Sequence, residues 1–471
     1  MTLTLLAVAA FLLHVAGAFA ALRALMYTRT AQGAVAWVLG LVLLPYVTLV
    51  PYLFLGSSRF KGYVDMHRRR QREARRDGAG PDRDEQLGQH APDPACARYA
   101  AIGAMLGSAF HGGHRLRLLI DGEATFAAIL DAIARAEHYV LVQFFIFHDD
   151  DLGRRMQRAL LERAAAGVTV CVLYDGVGSH DLPRHYVEAL RAGGVAIHPF
   201  ATRSWTNRFQ INFRNHRKNV VVDGWRGFVG GLNVGDEYLG RKPPLAPWRD
   251  THMELQGPSV AGLQRAFAED WRWITGAEPP SCAPRAGDGA ASVLVAATGP
   301  ADWQESGSLF FVQAIHAARE RVWLTTPYFV PDQAVGAALR LAVLRGVDVR
   351  LLIPSRPDHR TVFLSSGLHA HEAVRAGVRV FRYRPGFTHQ KVMLVDDDTA
   401  SVGSMNLDSR SFRLNFEIGA LVVDRAFAAD VEAMLRRDFA QAAEVDEREY
   451  RDAPYPWRVA MHVARLFDPL L

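Results

Sequence analysis

Lysine is scarce in this chain. Only four of its 54 basic residues are lysines, and two of these, Lys218 and Lys391, stand two residues after a histidine. Lysine is a compact point charge on a thin stem, whereas arginine is a broad planar fork. A chain that uses arginine nearly everywhere but places lysine twice in the same setting therefore indicates a crowded pocket around a small anion such as a phosphate.

Cysteine is scarce as well. Cys96, Cys171 and Cys282 are odd in number and far apart, and no C-x-x-C pair or Cys/His cluster argues for zinc or for a disulfide framework. Cys171 lies in an apolar, strand-like run, where a buried structural thiol is expected. The formal net charge of +5 suits an anionic membrane surface or a nucleic acid equally, so charge alone does not separate these partners.

An internal repeat is built around two histidines. One copy reads HRKNVVVDGWRGFVGGLN, and the other reads HQKVMLVDDDTASVGSMNLDSRSFRLNFE. Both place lysine two, aspartate seven and asparagine seventeen residues after the histidine. The repeated positions are His216, Lys218, Asp223 and Asn233, then His389, Lys391, Asp396 and Asn406. This duplication predicts two halves that fold alike and bring these side chains into one site.

Two apolar segments precede the repeat. Residues 3–22 and 34–55 are each long enough to cross a hydrocarbon layer of ~30 Å, and we expect Pro45 and Pro51 to kink or tilt the second. A cleaved signal peptide is the alternative for the first segment, although it lacks a basic start. A basic cluster within residues 59–76 predicts that both ends of the chain face the cytoplasm. The same cluster is equally suited to anionic lipid headgroups.

The remainder predicts a duplicated α/β fold. Strand-like runs alternate with amphipathic helical patterns, which indicates βαβ units on mixed sheets. A stretch rich in Gly, Pro and Asp, residues 77–97, predicts a linker. We therefore expect two transmembrane helices in residues 1–60, a basic segment and linker in 61–97, and two similar domains in 98–290 and 291–471.

The repeated H-x-K-x4-D, followed by G-S/G-x-N, resembles the phospholipase D superfamily. TPYFVPD around Tyr328, GSMNLDSRSFRLNFE, the closing RLFDPLL and the apolar N-terminal segments resemble bacterial cardiolipin synthases of the two-motif, membrane-anchored type. The resemblance covers nearly the whole chain except the linker. It implies two phospholipase D-like halves that share one active site. It also implies a multi-pass protein of the bacterial cytoplasmic membrane, with its catalytic halves facing the cytoplasm.

The resemblance implies the exchange of one phosphodiester for another. One imidazole attacks phosphorus and forms a phosphatidyl-histidine; the other protonates the leaving alkoxide and then activates the incoming hydroxyl. By resemblance His216 is the nucleophile and His389 the acid/base, a choice that the residues themselves leave open. Because the exchange is nearly balanced in free energy, no metal or other cofactor is expected.

Phosphate contacts are expected from the two lysines and from small polar side chains. Asn233, Asn406 and Ser404 are the candidates for holding the phosphoryl oxygens. The first copy has Gly231 where the second has Ser404, so only a backbone contact is expected there.

Carboxylates are expected to orient the histidines. By resemblance Glu417 serves His389. The first copy has Pro244 at the matching position, so Asp250 is the substitute candidate for that copy. Asp223 and Asp396 belong to the catalytic motif of the superfamily. Their odd offset from the histidine on a regular strand would turn them to the opposite face, which favours a structural role.

The predicted activity is transfer of a phosphatidyl group between two phosphatidylglycerol molecules, giving cardiolipin and glycerol. The alternatives are a phospholipase D that uses water as acceptor, a membrane-bound nuclease and a non-catalytic scaffold. The expected partners are phosphatidylglycerol and an anionic bilayer, not nucleic acid; phosphatidylethanolamine as a donor stays open. Trp457, Leu466 and Phe467 fit either an amphipathic helix on the bilayer or a helix packed on the second half.

Overall fold

The computed structural model describes residues 2–28, 30–56, 63, 91–200, 212–283, 285–302 and 304–471. The predicted basic cluster and most of the predicted linker lie outside these residues. The N-terminal part forms three apolar helices, α1 Thr2–Tyr27, α2 Ala31–Leu43 and α3 Pro45–Leu55.

One helix in the described part of the chain, Thr4–Tyr27 within α1, is long and apolar enough to cross a membrane. The expected second span is divided between α2 and α3 at Leu44. Pro45 has no N–H to continue α2, and its ring would clash with the carbonyl four residues earlier, so a new helix begins there. Pro51, in contrast, stays inside α3. Two shorter helices thus replace the single second span that the sequence suggested.

A sixteen-stranded mixed sheet runs through the rest of the molecule. In chain order the strands are β1 His111–Ile120, β2 Tyr139–Phe144, β3 Thr169–Asp175, β4 Ala196–Phe200, β5 Arg214–Asn215, β6 Asn219–Val222, β7 Arg226–Gly230, β8 Trp248–Arg249, β9 Thr251–Gln256, β10 Ala291–Thr298, β11 Arg321–Thr325, β12 Phe329–Val330, β13 Asp348–Pro354, β14 Arg379–Tyr383, β15 Phe387–Thr388, β16 Val392–Val395, β17 Thr399–Gly403, β18 Leu407–Asp408, β19 Asn415–Val423 and β20 Ala442–Glu444. The described residues also form two small two-stranded sheets, β12–β18 and β15–β8.

The large sheet has an approximate twofold at its middle, where β1 and β10 pair antiparallel, with His114 opposite Ala291. Outwards from β1 the order is β9, β7, β6, β2, β3 and β4; outwards from β10 it is β19, β17, β16, β11, β13 and β14. Strands β2, β3 and β4 pair in parallel in the first half, as do β11, β13 and β14 in the second. Strand β20 adds an antiparallel edge beyond β14. This confirms two similar α/β halves with mixed pairing. The exact division at residue 290 stays a prediction.

Helices cover both faces of the sheet. They are α4 Ala100–Leu106, α5 Asp121–Ala134, α6 Asp151–Ala165, α7 Arg184–Ala192, α8 Val260–Thr275, α9 Ser306–Ala317, α10 Gln333–Leu344, α11 Arg360–Arg375, α12 Ser409–Arg413, α13 Arg425–Ala440, α14 Arg448–Arg451 and α15 Tyr455–Arg465. Neighbouring residues of a strand face opposite sides, so Leu141 and Val142 of β2 belong to different buried clusters. The cluster of Leu141 also holds Phe267 of α8, Phe439 of α13 and the buried thiol of Cys171. The two halves therefore share one core beneath α8 and α13.

Candidate active site

His216 follows a short strand of the first half that pairs with the second half. β5 runs parallel to β19, with Asn215 opposite Phe416. The backbone N–H of His216 donates to the Phe416 carbonyl at 2.9 Å, so the next residue of β19, Glu417, lies beside the imidazole. His216 Nδ1 is 2.9 Å from Glu417 Oε2 and 3.1 Å from Oε1.

His389 repeats this arrangement in the opposite direction. β15 of the second half runs parallel to β8 of the first, with Thr388 opposite Arg249. The backbone N–H of His389 donates to the Arg249 carbonyl at 2.8 Å. The residue after Arg249 is Asp250, whose Oδ2 lies 2.7 Å from His389 Nδ1.

The orienting carboxylates are therefore exchanged between the halves. Assigning Glu417 to His389 and Asp250 to the first copy is wrong: Glu417 contacts His216, and Asp250 contacts His389. The reason is the pairing of β5 with β19 and of β15 with β8. β5, which precedes His216, pairs with a strand of the second half, and β15, which precedes His389, pairs with a strand of the first. In each pair the last residue before the histidine lies opposite the residue that precedes the acid. A carboxylate at Nδ1 fixes the tautomer that leaves Nε2 free to act as a base or a nucleophile.

The two lysines are buried beneath their histidines. Lys218 Nζ donates to the His216 carbonyl at 2.7 Å, and Lys391 Nζ donates to the His389 carbonyl at 2.6 Å. Burial lowers the pKa of Lys218 well below its usual value and lowers the pKa of Lys391 to about 8. The charges of Asp250 and Glu417 both oppose this effect at each ammonium, so each lysine lies in the field of both acids.

The directions in which the histidine pKa values are shifted indicate that these groups form one electrostatic cluster. Burial lowers the pKa of His216 to about 4, with the positive charges of Lys218 and Lys391 acting in the same direction and Glu417 against it. Burial lowers the pKa of His389 well below its usual value, and Lys391, Lys218 and His216 add to the effect. A Coulomb interaction weakens with distance, so these effects across the halves indicate one shared pocket.

Ser404 contacts the acid that the sequence assigned elsewhere. Its hydroxyl donates to Glu417 Oε2 at 2.5 Å and accepts the Ile418 N–H at 2.9 Å. The hydroxyl therefore holds the Glu417 carboxylate in place. Its predicted contact with phosphate stays a prediction. At the matching position a Cβ on Gly231 would lie 2.1 Å from Asp250 Oδ1, which leaves no room for a serine. The N–H of Gly231 donates to the Thr251 carbonyl at 3.0 Å, so it is not free for phosphate.

The two motif asparagines differ in their bonds. Asn233 Oδ1 accepts the Ile146 N–H at 3.2 Å, and its Nδ2 donates to the Tyr238 hydroxyl at 3.0 Å. Asn406 Oδ1 is buried and has no hydrogen-bond partner within the described part of the chain. The side-chain oxygen of Asn406 is therefore able to accept a further hydrogen bond, whereas that of Asn233 already accepts one.

Comparison with known proteins shows which family this chain resembles. A family model described as cardiolipin synthase, PLD-like domain, matches residues 129–271 and 311–439. Cardiolipin synthase A of Pseudomonas fluorescens is 56% identical over 466 residues, which cover 98% of this chain and 97% of that protein. Cardiolipin synthase A of Pseudomonas aeruginosa is 57% identical over 464 residues, covering 98% and 95%.

This chain belongs to the cardiolipin synthase family of phospholipase D-like proteins. The solved structure of phosphatidylserine synthase from Haemophilus influenzae superposes with a TM-score of 0.60 at 14% identity, covering 80% of this chain and 100% of that one. At that identity the likeness shows a common fold alone. The predicted membership of the superfamily and of the synthase family is confirmed.

The motif aspartates of this cardiolipin synthase family member lie away from the histidines. Asp223 Oδ1 accepts the N–H groups of His138 and Tyr139 at 2.8 Å each, and Oδ2 accepts that of Glu137 at 2.9 Å. Asp396 binds three consecutive N–H groups at the start of β11 in the same way. Both residues have φ of 51°, in tight turns after β6 and β16. Their inclusion among the catalytic side chains is not supported by these contacts; they join the turn to the neighbouring strand.

Two further acids, which sequence reasoning missed, hold the residue between histidine and lysine. Asp270 of α8 accepts from Arg217 at 2.9 Å, from Asn215 at 2.7 Å and from the Tyr63 hydroxyl at 3.0 Å. Asp438 of α13 accepts from Gln390 at 3.0 Å and from Nε and Nη2 of Arg249 at 2.9 Å each.

A sequence signal for these two acids exists. Asp270 and Asp438 each stand next to buried apolar residues of an amphipathic helix, Trp271 and Phe439. A buried carboxylate on such a face requires charged or polar partners. The signal does not say which strand supplies them.

Proposed function

We propose that this chain joins two phosphatidylglycerol molecules into cardiolipin and releases glycerol. The observation that carries the proposal is the pair of buried imidazoles, each bonded at Nδ1 to a carboxylate of the other half and each above a buried ammonium. The name of the Pseudomonas relatives supports a phospholipid as both donor and acceptor. Residues 98–290 and 291–471 would be the two catalytic domains.

The first step breaks the bond between phosphorus and the glycerol headgroup. His216, which Glu417 holds with Nε2 free, attacks phosphorus and forms the phosphatidyl-histidine. His389 gives its proton to the departing glycerol oxygen. Burial keeps the pKa of His389 well below its usual value. The negative charge of a bound phosphodiester opposes that effect, because a nearby anion favours the charged imidazolium.

The second step reverses the first with a different alcohol. Neutral His389 takes the proton from the terminal hydroxyl of a second phosphatidylglycerol, and that oxygen displaces His216 from phosphorus. Lys218, Lys391 and Asn406 hold the non-bridging oxygens through both steps, where charge develops. The Asn406 amide does so through its Nδ2 donor, and its unpaired Oδ1 is available to the incoming hydroxyl.

Both substrates reside in a bilayer, and the long apolar helix is consistent with membrane association. We propose that α1 crosses the bacterial inner membrane once and that α2 and α3 together return across it. This multi-pass arrangement would leave the catalytic halves on the cytoplasmic side.

The test is product analysis with the full chain in vesicles of headgroup-labelled phosphatidylglycerol. Cardiolipin with released glycerol is the expected result, whereas phosphatidic acid with glycerol would assign a hydrolase. Turnover of DNA without turnover of lipid would assign a nuclease. Labelled phosphatidylethanolamine in the same vesicles tests the second donor.

Two variants, His216→Ala and His389→Ala, should each abolish cardiolipin formation. An exposed histidine of the first half provides the matched control, so His185→Ala should keep full activity. Full activity in either site variant, with native folding, would contradict the proposed mechanism.

A further inference from the structure

Helix α15 has an apolar face that no described part of the protein covers. Its inner face packs on α11, where Met461 and Ala464 are buried. Met461 Cε would lie only 2.9 Å from a Cβ on Gly367, so the two helices are in close contact. The sequence allowed this helix either to lie on the bilayer or to pack on the second half. In the structure it packs on the second half, but along one side only.

The opposite side of α15 exposes four large apolar residues in helical register. Tyr455 is 72% exposed, Val459 43%, Val463 50% and, just beyond the last turn, Leu466 78%. Their spacing of four, four and three residues places them on one face. Such a continuous apolar stripe on a water-exposed helix is unfavourable unless something covers it.

Basic side chains line one edge of this stripe. The Arg458 guanidinium lies 5.8 Å from the centre of the Tyr455 ring, and Arg465 pairs with the half-exposed Glu372. His462 lies between the two arginines in sequence and contacts the Tyr450 hydroxyl. An apolar face with a basic edge is the pattern of helices that lie in the plane of an anionic membrane surface.

The position of α15 relative to the candidate active site fits a bilayer as well. A cavity of about 190 Å³ beneath the helix is lined by Trp457, Met461 and Phe363, among others. Phe363 also lines a smaller cleft together with Phe387. The Phe387 ring centre lies 6.1 Å from that of His389. The inner side of α15 therefore faces the part of the second half that holds Phe363 and Phe387, close to His389.

We propose that the face formed by Tyr455, Val459, Val463 and Leu466 lies in the headgroup and upper acyl region of the bilayer that holds the N-terminal helices. Arg458 and Arg465 then contact lipid phosphates. The apolar helix α1 keeps the catalytic halves close to that surface, so a bilayer is the occupant that is always within reach. The inference does not depend on which reaction the site performs.

Spin-label accessibility tests this placement in the full chain. Cys96 and Cys171 are buried, so Cys282→Ser combined with Val459→Cys gives one reactive thiol. The control label is Glu188→Cys, on the exposed side of α7. In nanodiscs that contain phosphatidylglycerol, the label at position 459 should collide with oxygen more than with a polar nickel chelate, and the control should show the reverse. Equal nickel accessibility at the two positions, or a label shielded from both reagents as by a protein partner, would overturn the proposal.

A charge placed on the stripe provides a functional test. Leu466→Asp should lower turnover on phosphatidylglycerol vesicles at least tenfold relative to turnover of a monomeric short-chain phosphatidylglycerol. The matched control is Leu344→Asp, because Leu344 of α10 is equally apolar and 82% exposed. Its ratio of the two turnovers should stay unchanged. An equal effect in both variants, or an equal loss on both substrates, would count against a membrane contact of α15. If the chain makes no cardiolipin at all, the spin-label result still decides the placement.

Discussion

Replacing Glu417 by glutamine preserves the shape of the side chain but removes its charge and one acceptor oxygen. The carboxylate accepts from His216 Nδ1 at 2.9 Å, Ser404 at 2.5 Å, Ser411 at 2.9 Å and Asn415 at 3.1 Å. Burial acts to raise the pKa of Glu417, but its interactions with His216, Lys218 and the Ser404 hydroxyl outweigh that effect and hold the pKa below its ordinary value. The acid is therefore ionised in the working enzyme, and the amide cannot replace its charge.

The size of the effect follows from the hydrogen bond that is weakened. A bond to a charged group contributes about 1.5–3 kcal/mol. Each 1.36 kcal/mol of lost transition-state stabilisation lowers the rate tenfold. If His216 is held and stabilised as proposed, Glu417→Gln should lower kcat for cardiolipin formation by about 10- to 100-fold. The cost should fall on kcat, because Glu417 contacts the imidazole of His216, which is the proposed nucleophile.

The assay combines steady-state kinetics with nitrogen NMR of labelled histidine. Glu417→Gln should shift the ring-nitrogen signals of His216 more than those of His389, and the matched Asp250→Asn should do the opposite. If Glu417→Gln altered His389 and left His216 unchanged, the exchanged pairing would be refuted. A full kcat in the glutamine variant would refute the role given to the acid.

Further predictions concern Lys391, the buried acid Asp270 and the motif aspartate Asp396. If the ammonium form of Lys391 binds phosphate as proposed, its pKa of about 8 means that kcat/KM should fall as pH rises above about 8, and a profile flat to pH 10 would contradict this. Tyr63→Phe and Tyr186→Phe each remove one buried hydroxyl bond, to Asp270 at 3.0 Å and to the Gly153 carbonyl at 2.7 Å, and each should cost about 1 kcal/mol of unfolding free energy. Only Tyr63→Phe should also lower kcat, since Asp270 holds the residues flanking His216; equal kcat in both variants would argue against this coupling. Asp396→Asn should lower the unfolding free energy by about 1–3 kcal/mol with kcat of the folded enzyme unchanged, and a loss of kcat without a loss of stability would restore a catalytic role.

The sequence predicted the parts of the site that depend on local spacing. The two His-x-Lys motifs, the duplicated α/β halves and the strand–turn position of Asp223 and Asp396 all follow from short-range periodicity. The odd offset of the aspartates correctly indicated a structural role, although the physical reason is a left-handed turn that points each carboxylate at backbone N–H groups.

What the sequence could not predict are the contacts made between distant segments. His216 and Glu417 are 201 residues apart, and His389 and Asp250 are 139 apart. These contacts depend on the two-residue strands β5, β8 and β15, which are too short to show a recognisable periodicity in the sequence. The bonds of Ser404 were missed for the same reason, since its orientation depends on where Glu417 lies.

The pairing of strands between the halves has a consequence for how a substitution in one half affects the other. Neither half alone contains an imidazole together with its own acid, so an isolated half would be chemically incomplete even if it folded. A defect introduced in one half should therefore be compensated by second-site changes in the other, and selection for revertants of Asp250→Asn should return substitutions around β15. In this respect the two halves are arranged like the subunits of a dimer in which each supplies an acid to the other's histidine.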